Sequence, residues 1–176
     1  MKIVRIIGGE STGKSALSKD LHQHFGGALV EEQARKYLYN LQRPYEKKDV
    51  VEIARQQLSK EDKAIQSNAP WVFCDTDLHV IQVWMEFKYA DCPREVLDHL
   101  AIQRTDFFLL CSPDLPWQED PLREHPEQDL RQYFFSWYLH LISVQKIPYF
   151  IVRGQGAERN QSAITFLNRA TEYRSE

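Results

Sequence analysis

The chain has 176 residues, 43% of them hydrophobic and 27% charged, with a formal net charge of −3. That length suits about one domain with a real apolar core, and the composition excludes disordered, collagen-like and coiled-coil classes. Interspersed charge gives no electrostatic footprint for nucleic acid, and the longest apolar runs, such as Phe107-Phe108-Leu109-Leu110-Cys111, fall far short of the roughly 18 residues of a membrane span.

The first run, Lys2 to Ile7, is β-branched and reads as a strand. Gly8-Gly9-Glu10 interrupts it too soon for the apolar centre of a secretory signal, so the expected compartment is the cytoplasm. Leu17, Leu21 and Phe25 then recur at helical spacing until Gly26-Gly27. Ala28-Leu29-Val30 suits a short second strand, and Ala34, Tyr37, Leu38 and Leu41 mark a helix that stops before Pro44. A longer helix is expected over residues 48–66, then a buried strand at Trp71-Val72-Phe73-Cys74. Two more helices come next, one through Leu78, Ile81, Met85 and Tyr89 and one through Leu97, Leu100 and Ala101. Phe107 to Cys111 is the fourth strand.

Residues 112–128 hold four of the chain's eight prolines and little periodicity, so a loop or mobile lid is expected. A helix over residues 128–146, ended by Pro148, leads to a fifth strand, Tyr149 to Val152, and a last helix over residues 157–173. Alternating strands and helices imply right-handed crossovers, and hence one α/β domain over 1–176 with a five-stranded parallel sheet covered on both faces. Cys74, Cys92 and Cys111 are odd in number and far apart, which suits free thiols and indicates neither a disulfide framework nor a zinc site.

Between the first strand and the first helix stands Gly8-Gly9-Glu10-Ser11-Thr12-Gly13-Lys14-Ser15, a complete G-x-x-x-x-G-K-S. Its fixed positions coincide by accident in on the order of one chain in a hundred of this length, and the strand-loop-helix setting makes accident rarer still. Such a loop turns successive N–H groups and a helix N-terminus toward an anion. Residues Gly8 to Ala16 are therefore expected to cradle ATP, with Lys14 at the β- and γ-phosphates and the Ser15 hydroxyl on Mg²⁺. Asp75, directly after the third strand, is expected to be the magnesium carboxylate, unless it only caps the next helix; the same alternative holds for Asp77. Glu31 and Glu32 end the second strand on the sheet edge where ligands gather, as a solvated pair or as a base for an attacking hydroxyl.

Beyond the P-loop, Glu32-x-x-Arg35-x-Tyr37, Ile53-Ala54-x-x-Gln57, Asp75-Thr76-Asp77, Pro116-Trp117-x-x-Asp120-x-x-Arg123 and the later Gly154 and Arg159 occur in this order. Over nearly the whole chain this pattern resembles the ribosylnicotinamide kinase domain of NadR proteins and related P-loop AAA-type proteins. The resemblance implies an adenylate-kinase-like three-layer fold with a lid, and transfer of the ATP γ-phosphate to the 5′-hydroxyl of nicotinamide riboside. It implies Lys14, Asp75, Glu32 and Arg123 as catalytic groups, and Arg159 near the adenine. Glu32, Arg35, Asp77, Trp117, Asp120 and Arg131 would meet the substrate, with Trp117 stacked on its ring. The sequence departs from that pattern at Pro121, where a glycine is expected, and at Val80-Ile81, in place of a threonine.

Two other functions suit the residues. Arg35, Lys36 and Arg43 could bind an acceptor phosphate, which would make the substrate a nucleotide. Alternatively the triphosphate orders the lid for a partner, and the chain is a regulatory ATPase. The aromatic run Phe134-Phe135-Ser136-Trp137-Tyr138-Leu139 is expected to be core before interface, and a homo-oligomer is open.

Overall fold

The computed structural model describes residues 1–172. Five strands, β1 (Lys2–Ile7), β2 (Ala28–Val30), β3 (Trp71–Asp75), β4 (Phe107–Cys111) and β5 (Tyr149–Val152), form one sheet in the order β2-β3-β1-β4-β5. Every neighbouring pair is parallel, with β1 at the centre. The helices are α1 (Lys14–Phe25), α2 (Gln33–Asn40), α3 (Lys47–Gln66), α4 (Leu78–Tyr89), α5 (Arg94–Ile102), α6 (Gln128–Ser143) and α7 (Gly156–Glu172).

The alternation of side chains along β1 divides the core between two faces. Val4 and Ile6 pack with Leu17 and Leu21 of α1 and Ala163 and Leu167 of α7. On the other face Ile7 meets Val83 of α4 and Phe134, Phe135 and Ile142 of α6. This is the three-layer α/β arrangement expected from the sequence, with every strand found where its apolar run lies.

Arg5 also points to that second face and is 1% exposed. Its charge is met by Glu61 of α3 at 2.6 Å, and its remaining N–H groups donate to Thr105 Oγ1 and the Arg104 carbonyl. A guanidinium inside the sheet survives because each side of the fork finds an acceptor.

The helix expected over residues 128–146 ends earlier, at Ser143, because Lys146 adopts a left-handed φ of 58° before Pro148 is reached. Tyr173, expected in the last helix, lies outside the described residues. Among the described residues, no helix is long and apolar enough to cross a membrane.

Candidate active site

Parallel strands all present their C-terminal ends on one edge, so the segments after β1, β3 and β2 converge. They bring together the P-loop, Asp75 and Glu32, whose strands are adjacent in the sheet. Ile6 is in register with Asp75, and Val30 with Cys74.

The P-loop curves as its glycines require. Gly8 has φ +146°, and a Cβ there would lie 2.9 Å from the Cys111 carbonyl oxygen. Gly13, at φ +77°, is the N-cap of α1 and would set a Cβ 2.9 Å from Leu115 of the lid. Lys14 Nζ donates to the Gly9 carbonyl at 2.8 Å, and the Thr12 hydroxyl donates to the same oxygen. All nine residues from Gly8 to Ala16 line a cavity of about 620 Å³.

Glu32 lines the same cavity. Burial raises its carboxyl above the usual glutamate range, with the Lys14 charge opposing and the Asp75 charge adding to the rise. It stands at the N-cap of α2 but makes no side-chain cap bond, which leaves the carboxylate free to face the cavity. Asp75 is 3% exposed, its Oδ1 is buried without a hydrogen-bond partner, and burial raises its pKa against the influence of Lys14 and the Ser15 hydroxyl. An orphaned carboxylate oxygen beside a hydroxyl and a phosphate cradle fits a magnesium ion bound mostly through phosphates and water. Among the described residues no group of three or more His, Cys, Asp or Glu side chains is placed to hold a metal without such a ligand.

Asp77 does not line the cavity. It is fully buried, caps α4 by accepting the His79 N–H at 2.9 Å, and pairs with His79 Nδ1 at 2.7 Å. The two aspartates of Asp75-Thr76-Asp77 thus divide the alternatives between them: the first faces the P-loop and the second caps the helix.

The lid, residues 112–128, lies against the P-loop through side chains that its cradle does not use. Glu10 accepts the backbone N–H groups of Glu124 and His125, at 3.0 and 3.1 Å. The Ser11 hydroxyl accepts the Gln118 N–H at 3.0 Å. Arg123 and Arg131 both line the cavity, and Arg131 also donates to the carbonyls of Ser11 and Leu115.

Three more of the expected site residues do not line the cavity. Trp117 is outside the cavity wall; its ring is flanked by the guanidinium groups of Arg123 and Arg131, at 5.9 and 5.8 Å from the centroid. Asp120 pairs with Arg35 at 2.8 Å and accepts the Leu122 N–H, so it holds the lid to α2 and does not line the cavity. Arg159 is 4% exposed and braces the P-loop from behind, donating to the Thr12 carbonyl at 2.7 Å and to Asp114 at 2.9 Å; its neighbours Gln155 and Gly156 reach the cavity instead.

Apart from Val80, the rest of the cavity wall is formed by residues that the sequence did not single out for it. Val80, Val83, Trp84 and Phe87 of α4, with Phe134 and Tyr138 of α6 and Tyr45 from the loop before α3, make an aromatic-rich wall. Two residues of the aromatic run in α6 therefore serve both core and cavity. Helical spacing marked these faces as buried but cannot separate a packed face from one that borders a hollow.

Residues 3–159 match the family model described as AAA domain, and the chain belongs to that family. Among solved structures, a NadR protein in complex with NR superposes with a TM-score of 0.74 at 21% identity, covering 97% of this chain and 50% of that one. A structure of NadR protein in complex with NAD and AMP-PNP gives 0.71 at 23% identity, covering 97% of this chain and 49% of that one, so the chain spans about half of the NadR chains it matches. Thymidylate kinase from Ehrlichia chaffeensis (TM-score 0.63, 13% identity, 94% of this chain and 98% of that one) shares the fold. So does deoxyadenosine kinase from M. mycoides (0.62, 16% identity, 95% and 99%).

Proposed function

We propose that this chain is an ATP-dependent small-molecule kinase that transfers the γ-phosphate to the 5′-hydroxyl of a nucleoside, with nicotinamide riboside as the first acceptor to test. The observation that carries this reading is the continuity of one cavity from the P-loop, past Glu32, to the aromatic wall of Trp84, Phe87, Phe134 and Tyr138. A phosphate cradle at one end and a π-rich chamber at the other suit a triphosphate meeting a sugar that carries a flat heterocycle.

In this mechanism the P-loop N–H groups and Lys14 hold the triphosphate, and Ser15 and Asp75 would hold Mg²⁺. An ion held there would supply charge neutralisation for the phosphates. Glu32 orients the acceptor hydroxyl and takes its proton as the oxygen attacks the γ-phosphorus. Its raised affinity for protons suits a base, since the carboxylate is held in poorly solvated surroundings. Arg123 of the lid and Arg131 of α6, both lining the cavity, stabilise charge on the transferring group, while the closed lid excludes water. ADP then leaves with the broken β–γ bridge oxygen.

A nucleotide acceptor is less well supported, because two of the three cations proposed for its phosphate, Arg35 and Arg43, are already engaged. Arg43 makes a two-pronged pair with Asp49 at 2.8 Å, and Arg35 is paired with Asp120. The neighbours that share the fold include kinases of nucleosides and of nucleotides, so this distinction rests on the side chains. A coupled ADP-release assay across nucleosides, nucleoside monophosphates and no acceptor tests the reading. Stimulation by a nucleoside is expected; stimulation by monophosphates alone favours the nucleotide kinase, and basal hydrolysis that no acceptor increases favours the regulatory ATPase.

A further inference from the structure

Gln57, in the middle of α3 and 2% exposed, bridges the two turns that carry the site's carboxylates. Its Oε1 accepts the N–H of Gln33, the residue after Glu32, at 3.2 Å. Its Nε2 donates to the carbonyl of Thr76, the residue after Asp75, at 3.4 Å, and to Glu61 Oε1 at 3.3 Å. Glu61 is itself anchored on Arg5 in the centre of the sheet. A single side chain thus ties the end of β2 and the end of β3 to one buried ionic anchor.

Both turns need such support. The first helical N–H groups of α2 have no intrahelical acceptor, and the N-cap residue ordinarily supplies one from its own side chain. Glu32 occupies that position without doing so, and Gln57 provides an acceptor from outside the helix instead. The Glu32 carboxylate is thereby left to the cavity. On the other side, Thr76 sits at φ +74° with its hydroxyl buried and unpartnered. A β-branched residue keeps that conformation only where its surroundings over-determine it, and the bonds from Gln57 to its carbonyl and from its N–H to Ile6 do so.

We propose that Gln57 is a positioning residue for phosphoryl transfer: it fixes the Glu32 and Asp75 turns relative to each other and frees the Glu32 carboxylate from helix capping. The inference rests on the kinase reading and adds a residue that touches neither nucleotide nor acceptor. Small displacements of a base cost far more rate than binding, because the reacting atoms must be held within a narrow range of distance and angle. Loss of Gln57 should therefore lower kcat and leave the KM for ATP alone.

The test uses the acceptor that gives the largest stimulation of ADP release. Gln57→Met, similar in size but without hydrogen-bonding groups, is expected to lower kcat at least tenfold with the KM for ATP within about twofold. Because Gln57→Met leaves buried polar groups unpaired, which can prevent folding, Gln33→Pro is the second variant. Proline is tolerated at a first helical position and removes the N–H that Gln57 accepts; it also removes the Gln33 side-chain bond to the Glu31 carbonyl, which Gln33→Ala removes alone and so controls for. Gln33→Pro should also lower kcat, with the melting temperature preserved. In a Glu32→Gln background Gln33→Pro should have little further effect and Gln57→Met only the part that acts through the Asp75 turn, whereas a general loss of structure would multiply in full. Unchanged kcat in the folded variants, or the same fold-loss in both backgrounds, overturns the positioning role and leaves the kinase reading standing. If no acceptor stimulates the unmodified protein, the kinase reading falls and this role falls with it.

Discussion

The carboxylate of Glu10, inside the phosphate-binding loop, accepts the backbone N–H of Glu124, inside the lid, at 3.0 Å. The same lid residue gives its own carboxylate to the Tyr45 hydroxyl and to Lys88 Nζ at the rim of the aromatic chamber. One residue thus joins the phosphate-binding loop to the aromatic wall of the cavity. Glu10→Ala removes the acceptor for two lid N–H groups, and charge-assisted bonds of this kind are worth about 1.5–3 kcal/mol each when shielded and less when exposed. The lid should open roughly tenfold more often, read as faster tryptic cleavage after Arg123. An unchanged cleavage rate would show that the lid is held elsewhere.

The two aspartates after β3 should separate function from stability. Asp77→Ala removes the α4 cap and strands His79, so it should lose at least the roughly 0.5–2 kcal/mol of an N-cap, read in thermal melts, whatever happens to turnover. Asp75→Asn should do the opposite. It deletes a buried charge that has no partner for Oδ1, so stability should hold or rise while Mg²⁺-dependent activity falls steeply. Activity retained in Asp75→Asn would remove it from the site.

The strand order and the P-loop were legible because each depends on local pattern: a β-branched run, a glycine spacing, a helix period. Glu32 and Asp75 were legible because a parallel sheet gathers the C-terminal ends of its strands, and the residues just beyond them, on one edge. That Trp117 and Asp120 stand off the cavity wall was not legible, for a different reason. Arg35, the partner of Asp120, lies 85 residues away, and nothing local distinguishes an aromatic ring that meets a ligand from one flanked by arginines. Arg159 likewise resembles a ligand contact until the Thr12 carbonyl is found behind the loop. Arg5 lies within an apolar strand run, and only the fold reveals Glu61 opposite it.

That buried pair yields a stability prediction. Glu61→Leu leaves Arg5 charged and uncompensated in the core, which should cost about 3–5 kcal/mol. For a chain of this size each kcal/mol is worth roughly 2–4 °C in Tm, so melting should fall by roughly 6–20 °C. The double variant Arg5→Met with Glu61→Leu should recover much of the loss, because two apolar groups of similar volume need no ionic partner. Additive losses in the double variant would mean that the pair is not energetically coupled.

Glu32 should show a conflict between stability and function whose sign depends on pH. Burial, together with the nearby Asp75 and Glu10 charges, makes the folded protein hold this proton more tightly than the unfolded chain, with Lys14 and Arg35 opposing. Between the ordinary glutamate pKa and the raised one, the folded state therefore binds more protons, and stability is lost as pH rises. Glu32→Gln carries no ionisable proton and escapes that loss. Its melting temperature should match the unmodified protein near pH 4, below the ordinary glutamate value, and exceed it increasingly toward neutral pH. Turnover should move the other way, falling by about 10²–10⁴ if Glu32 is the base. The acid limb of the unmodified protein's pH–rate profile should lie above the ordinary glutamate range for the same reason. A stability difference that is constant with pH, or a rate within a few-fold of the unmodified protein, would assign Glu32 to shaping the cavity and leave proton removal to another group.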